Sequence, residues 1–168
     1  MFFRTLALAV SLTAFLAAES AGGISWTAPA AWKSQGERPM RAATYTIPPA
    51  ASDSEPGECA VFYFGQGQGG GVDANIKRWL GQFKDAPANP QPKSKTINGL
   101  KATTIEHAGT YMSGAPMAPV KTPKPGYRLI GTIVEAPGGN VFFKLTGPAR
   151  TVAAAQPAFD KMLAGVKK

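Results

Sequence analysis

The chain has 168 residues and a formal net charge of +8, with 18 lysines and arginines against 10 acidic residues. This length is enough for one domain with a buried core, and the single cysteine excludes an internal disulfide bond. The basic residues are scattered along the chain, a pattern typical of a solvated surface rather than of a nucleic-acid-binding stripe.

The segment 1–22 has the order of a cleavable secretory signal peptide. One arginine precedes an apolar run from Leu6 to Leu16, and small residues follow. The run is too short to span a bilayer, which takes about 20 residues. Small side chains favour a cut after Ser20 or, as second choice, after Gly22; an uncleaved anchor or an interior helix is the alternative. No cysteine follows either cut, so we expect a periplasmic or secreted, soluble domain over residues 23–168 without a lipid anchor.

Residues 24–84 predict three strands and a helix. Ile24 to Thr27 indicate a short edge strand, and 41–47 alternate in the manner of a half-buried strand. Residues 58–64 are apolar on both faces, which predicts a central strand. After a glycine-rich loop at 65–71, apolar residues at helical spacing predict an amphipathic helix over 72–84.

The second half predicts two hairpins and a closing helix. Asn98-Gly99 is a two-residue hairpin signal between strands at 93–97 and 100–111. Residues 112–126 lack periodicity and predict a long exposed loop, and 127–135 and 141–146 form a second hairpin. Pro148 predicts the first position of the last helix, with a kink near Pro157. The expected fold is α+β: a mainly antiparallel sheet of about six to seven strands packed with two amphipathic helices.

This element order resembles that of the PsbP and DcrB superfamily. The resemblance is carried by Trp26-x-x-Pro29-x-x-Trp32, by the apolar strand 59–64 before helix 72–84, and by Phe142–Pro148 before the last helix. It implies a compact exported or lumenal α/β/α sandwich with a binding or accessory role rather than a catalytic one. No family motif matches position by position, so no functional residue is carried over. DcrB-type proteins are often lipid-anchored, and the missing cysteine departs from that.

The glycine-rich loop matches part of a dinucleotide-binding fingerprint, as Gly65-x-Gly67-x-x-Gly70. That site also needs a parallel strand and an acid about 20 residues further on. The nearest acid, Asp85, lies in a proline-rich connector, and the next strands form a hairpin. We therefore predict no nucleotide cofactor and keep a weaker hypothesis, that amides at the helix start hold a small anion. The residues of this anion-binding loop are Gly67, Gly69, Gly70 and Gly71.

Catalytic and metal-binding patterns are lacking. His107 is the single histidine, and Cys59 lies in an apolar run with no third member of a catalytic set nearby in sequence. Met112 and Met117 lie near His107, and thioethers are soft ligands, but their spacing is not a copper motif. We predict no catalytic residue, no metal site and no cofactor.

The loop 112–126 is the favoured binding surface, since it is longer than ordinary connections and carries adaptable methionines; a mobile solvated insertion is the alternative. Its candidate residues are Met112, Met117, Lys121, Lys124 and Tyr127. We predict a non-enzymatic extracytoplasmic binding or accessory domain, monomeric and without a membrane span. Its partner would be an envelope protein or an anionic envelope component, not a nucleic acid. The alternative is a small-ligand or metal-binding domain that uses a sheet–helix pocket near Gly65–Gly71.

Overall fold

The computed structural model describes residues 18–36, 38–114 and 119–168, which form nine strands and two helices. The strands are β1 (Glu19–Ala21), β2 (Ile24–Trp26), β3 (Lys33–Ser34), β4 (Arg41–Ile47), β5 (Gly57–Tyr63), β6 (Lys93–Ile97), β7 (Leu100–Ser113), β8 (Thr122–Ala136) and β9 (Gly139–Pro148). The helices are α1 (Val72–Leu80) and α2 (Ala149–Ala164).

Seven of the strands form one sheet in the order β3-β4-β5-β9-β8-β7-β6, and every neighbouring pair is antiparallel. The two predicted hairpins are present, with Ile97 paired to Leu100 and Ala136 paired to Gly139. The helices cover opposite faces of this sheet. The predicted α+β class, with a mainly antiparallel sheet and two helices, is confirmed.

The central strand β9 contributes to two separate cores. Val141, Phe143 and Leu145 pack in the larger core with residues of α2. Phe142 points to the other face, where it packs with Ile76 and other residues of α1. This use of both faces explains why the strand is apolar at successive positions rather than alternating.

The two faces receive unequal cover. Helix α2 has 16 residues, whereas α1 has nine and packs on β7 and β8. A nine-residue helix is about 14 Å long, but seven strands at about 4.8 Å spacing span roughly 30 Å. Part of the sheet on the α1 side, over β5 and β9, therefore has neither of the two described helices above it.

The structure corrects one boundary of each predicted helix. Helix α1 ends at Leu80 rather than at 84, because the following residues pair with β7 instead: the amide of Lys84 donates to the carbonyl of Thr110 at 2.9 Å. Helix α2 begins at Ala149, and Pro148 is its N-cap and the last residue of β9. The helix continues through Pro157.

The predicted loop 112–126 is wrong at both ends. Residues up to Ser113 belong to β7 and residues from Thr122 belong to β8, with Met112 paired to Pro123. Before Tyr127, which pairs with Pro148, β8 has a partner on one side only among the described strands. Pro123 and Pro125 are two positions apart, so both missing donors face the same edge, and an unpaired edge tolerates proline. Residues 115–118, and Met117 with them, lie outside the described residues.

The predicted edge strand at Ile24 belongs to a separate two-stranded sheet, in which β1 pairs with β2. The Tyr45 hydroxyl links this small sheet to β4, since it accepts from Trp26 Nε1 at 2.9 Å and donates to the Glu19 carboxylate. Burial raises the pKa of Glu19. The predicted cut after Ser20 falls inside β1.

We expect a chain beginning at Ala21 to be less stable than a chain beginning at Ala18. It lacks Glu19 and most of β1, and the loss of a partly buried hydrogen bond to a charged group costs about 1–3 kcal/mol. Urea denaturation followed by tryptophan fluorescence measures the difference. Glu19→Leu in the longer chain is the matched control, since it removes only the carboxylate; equal midpoints for all three chains would contradict the expectation.

Candidate binding pocket

A pocket of about 510 Å³ opens on the α1 side of the sheet, where the helix leaves β5 and β9 uncovered. Its walls are formed by side chains of β4, β5 and β9, of α1, and of the outer half of the β7–β8 hairpin. The lining residues that carry charge or aromatic rings are Arg41, Glu58, Phe62, Phe64, Arg78, Trp79, Tyr111, Lys121, Lys124, Tyr127, Phe142 and Lys144.

Six aromatic residues contribute to the apolar surface of the pocket. Phe62 and Phe64 lie nearly parallel with ring centroids 6.1 Å apart, and Phe142 meets Phe64 at 5.7 Å. On the opposite wall, the rings of Tyr111 and Tyr127 stack at 5.8 Å. Flat rings held against one another give a rigid surface with little rotamer freedom to lose when a ligand binds.

Most cations around the pocket are already engaged by neighbouring groups. Arg41 forms an ion pair with Glu58 at 3.0 Å, and Arg78 donates to the side-chain oxygen of Asn75 at 2.9 Å. Lys124 forms an ion pair with Glu55, to which the Tyr127 hydroxyl also donates at 2.6 Å. The hydrogen bond from Lys124 lowers the pKa of Glu55.

Lys144 differs from these cations because it rises from the middle of the central strand. Its ammonium donates to Gln82 Oε1 at 2.5 Å and lies 3.5 Å from the Tyr111 hydroxyl. Both groups are neutral, and no carboxylate of the described residues lies within 4.0 Å of it. Desolvation lowers the pKa of Lys144 to about 8, while the nearby Glu58 carboxylate opposes the shift and Arg41 reinforces it.

The pocket gathers most of the residues that the sequence selected for the loop. Met112, Lys121, Lys124 and Tyr127 line it, although they lie on or beside strands rather than in a free loop. Met117, the fifth residue of that set, lies outside the described residues.

The proposed anion-binding glycines lie outside the pocket lining. The Asn75 side-chain amide donates to the carbonyls of Gly69 and Gly71 at 2.8 and 2.9 Å. Gly69 has a φ of +82° and packs so closely on Phe64 that a side chain there would overlap the ring. This loop thus supports one wall of the pocket. Anion binding by Gly67, Gly69, Gly70 and Gly71 stays a prediction.

Cys59 and His107 lie on opposite faces of the sheet. Cys59 is fully buried in the α2-side core, and desolvation raises the pKa of its thiol. His107 packs edge-on against Phe83 on the α1 side, with ring centroids 4.8 Å apart. In the described ranges no three His, Cys, Asp or Glu side chains cluster in a way that could hold a metal ion.

Sequence reasoning missed five residues that shape the pocket: Arg41, Arg78, Gln82, Tyr111 and Lys144. A signal existed for Lys144, because a lone lysine within the apolar run Phe142–Leu145 is unusual for a central strand. The others come from distant parts of the chain, on β4, on and just after α1, and on β7, and only the fold brings them together.

Comparison with known proteins supports the fold assignment. No family model and no curated protein sequence matches the chain. The solution structure of cyanobacterial PsbP (CyanoP) from Synechocystis sp. PCC 6803 matches with a TM-score of 0.54 and 11% identity, over 95% of this chain and 96% of that chain. The likeness concerns the fold, and the predicted PsbP/DcrB-like fold is confirmed.

Two further structures give lower scores. LpqN, described as involved in cell envelope biogenesis of Mycobacterium tuberculosis, has a TM-score of 0.49 and 13% identity over 86% of this chain and 82% of that chain. A crystal structure from Bacteroides thetaiotaomicron VPI-5482 has a TM-score of 0.41 and 11% identity over 88% of this chain and 46% of that chain. Separately, neither described helix is long and apolar enough to cross a membrane.

We expect Lys144 to make stability depend on pH in the alkaline range. Between pH 8 and 10.5 the unfolded chain still holds the Lys144 proton that the folded chain has released, so the free energy of unfolding rises with pH. Relative to Lys144→Met, the wild type should gain on the order of 3 kcal/mol across this window. Urea denaturation at pH 7.5, 9 and 10.5 measures both proteins; parallel pH profiles would contradict this assignment.

Proposed function

We propose that the protein is a non-enzymatic binding domain that acts outside the cytoplasm and holds a small amphipathic molecule in the pocket between α1 and the sheet. The observation that carries the proposal is the pocket itself, about 510 Å³ in volume and lined by aromatic rings and cations. Pockets that bind small molecules are mostly apolar, with a few polar groups that fix orientation.

The chemistry of the walls supports binding rather than catalysis. A nucleophile, a base and an orienting group would have to lie within hydrogen-bonding distance, but Cys59 and His107 lie on opposite faces of the sheet. Export of the chain rests on the predicted signal peptide, and an accessory role agrees with what the PsbP-like resemblance implies.

The anionic aromatic probe 8-anilinonaphthalene-1-sulfonate tests the pocket directly. We expect saturable fluorescence enhancement at one site per chain, with transfer of excitation from Trp79 in the pocket wall. Ser113→Trp places a large ring at the pocket lining and should weaken binding at least tenfold, because the ligand volume is filled.

Thr96→Trp is the matched control, since it adds the same ring at an exposed position on β6 outside the pocket. Both variants are first compared with the wild type by thermal denaturation, because the probe also binds loosened structures. Equal affinity of the two variants for the probe would refute the pocket as its site.

A second candidate function is docking to an anionic envelope surface through the tip of the β7–β8 hairpin. The described residues of this hairpin tip are Gly114 and 119–121. Val120 is 79% exposed at this tip, and Lys121 beside it is exposed as well. An exposed apolar side chain next to a cation suits attachment to an anionic bilayer surface.

Sedimentation with lipid vesicles tests this second candidate. We expect binding to phosphatidylglycerol-containing vesicles at low salt and several-fold less to phosphatidylcholine alone, because the attraction is partly electrostatic and screened by salt. Val120→Asp with Lys121→Glu should abolish the binding, whereas the control pair Lys95→Glu with Thr96→Asp, on β6, should retain it. An equal loss of vesicle binding in both double variants would show that net charge alone causes the effect, and the tip would be rejected as the docking surface.

A further inference from the structure

Lys144 is the one charged residue of β9, and no carboxylate of the described residues lies within 4.0 Å of its ammonium. Its hydrogen-bonding partners, Gln82 and Tyr111, are both neutral. A partly desolvated ammonium without an ion-pair partner is costly, because the protein replaces its hydration only in part. The lining of the pocket therefore presents a cation whose electrostatic needs the described side chains leave unmet.

The other inward cations are less available. Arg41 and Lys124 each have a carboxylate partner, Glu58 and Glu55. Arg78 donates to the neutral Asn75 side chain, as Lys144 does to Gln82, but Arg78 is exposed to solvent, where a charge is screened. Lys121 is exposed to solvent, where an ion pair contributes little.

A polar group without a hydrogen-bond partner among the described residues lies near Lys144 on the same strand. Thr146 lines the same pocket two positions further along β9, so both side chains face the α1 side. Its hydroxyl oxygen is buried and has no hydrogen-bond partner among the described residues. Buried polar atoms in native proteins nearly always have partners, so an unpaired hydroxyl calls for an explanation.

We propose that Lys144 binds the acidic headgroup of the ligand, with Thr146 as an additional donor, while the aromatic walls hold an apolar tail. The ligand class is then an amphipathic organic acid rather than a neutral or cationic amphiphile. This inference rests on the proposed ligand-binding function and deepens it. A charge-assisted hydrogen bond in a desolvated site is much stronger than one in water, so the acid group should dominate selectivity.

Other titratable groups face the same pocket and bear on the pH dependence of binding. They are Arg41 on β4, Glu58 on β5, Arg78 on α1, Tyr111 on β7, and Lys121, Lys124 and Tyr127 at or on β8. Burial raises the pKa of Tyr111. Between pH 7 and 9, loss of the Lys144 proton should therefore be the main change in pocket charge.

Isothermal titration with four ten-carbon probes tests the proposal on the full folded chain. The probes are decanoate, decyl phosphate, decan-1-ol and decyltrimethylammonium, which share the tail and differ in the headgroup. We expect at least one of the two acids to bind ten or more times more tightly than the alcohol, and the ammonium to bind most weakly. Comparison of the two acids separates a carboxylate ligand from a phosphate ligand.

Variants of Lys144 test whether this residue causes the preference for acidic headgroups. Lys144→Met should lose the preference for acids and still bind the alcohol, because its side chain keeps the apolar stem. Lys144→Arg should retain part of the preference, and Thr146→Val should reduce it. The matched control Lys33→Met removes an exposed lysine of β3 outside the pocket and should leave all affinities unchanged. From pH 7 to 9 the affinity for the acid should fall several-fold in the wild type but not in Lys144→Met.

The outcomes separate this inference from the proposed function. If the alcohol binds as tightly as both acids, or if the preference survives Lys144→Met, the headgroup assignment is overturned while the ligand-binding pocket stands. If none of the four probes binds, the proposed ligand-binding function fails and this inference fails with it.

Discussion

The two helices cover the two sheet faces unequally, and this difference decides where the sheet can carry polar side chains. Helix α2 covers one face along 16 residues, and every side chain that β9 sends to that face is apolar. Helix α1, with nine residues, buries Phe142 but does not reach the neighbouring positions of β9. A strand in the middle of a sheet can carry Lys144 only because the cover stops there.

The pocket walls are fixed by backbone contacts beyond the end of α1. The segment after the helix pairs with the outer part of β7, where the amide of Met112 donates to the Gln82 carbonyl at 2.7 Å. This contact holds Gln82 over the sheet, within reach of the Lys144 ammonium. Across the pocket, the ion pair between Glu55 and Lys124 joins the β4–β5 connection to β8. The cavity is thus enclosed by segments tied to the sheet rather than by a free loop.

The sequence predicts the parts of this fold that depend on local patterns. Asn98-Gly99 specifies a hairpin through its backbone preferences, and both residues have positive φ, +48° and +78°. The apolar spacing of α1 likewise predicts its buried face. Strand β1 is missed because its residues also fit the end of a signal peptide, and β3 because two residues carry no period. The extension of β7 and β8 is missed because Pro123 and Pro125 usually indicate a loop.

In the candidate site too, local sequence patterns predict some residues, and only the fold reveals the others. The sequence singles out Lys121, Lys124 and Tyr127 because they lie near an unusual segment, and they do line the pocket. Their importance as a group follows from the pocket they share with Arg41 and Lys144, two residues that lie far from them in the chain on β4 and β9. No local pattern encodes such a meeting, because strand order and register decide it.

The desolvated Lys144 amine also links binding to folding. At neutral pH the folded chain holds a proton on an amine whose pKa the pocket has lowered to about 8, so the charged form opposes folding. An apolar residue of similar volume would avoid this cost, as replacements of buried charges often do. An acidic ligand would reverse the effect, because it supplies the missing counter-charge only in the folded state. Any ligand that binds the folded chain alone stabilises it in proportion to the logarithm of its free concentration. In this pocket, therefore, the same electrostatic deficit that weakens the empty domain would favour its complex with an acid.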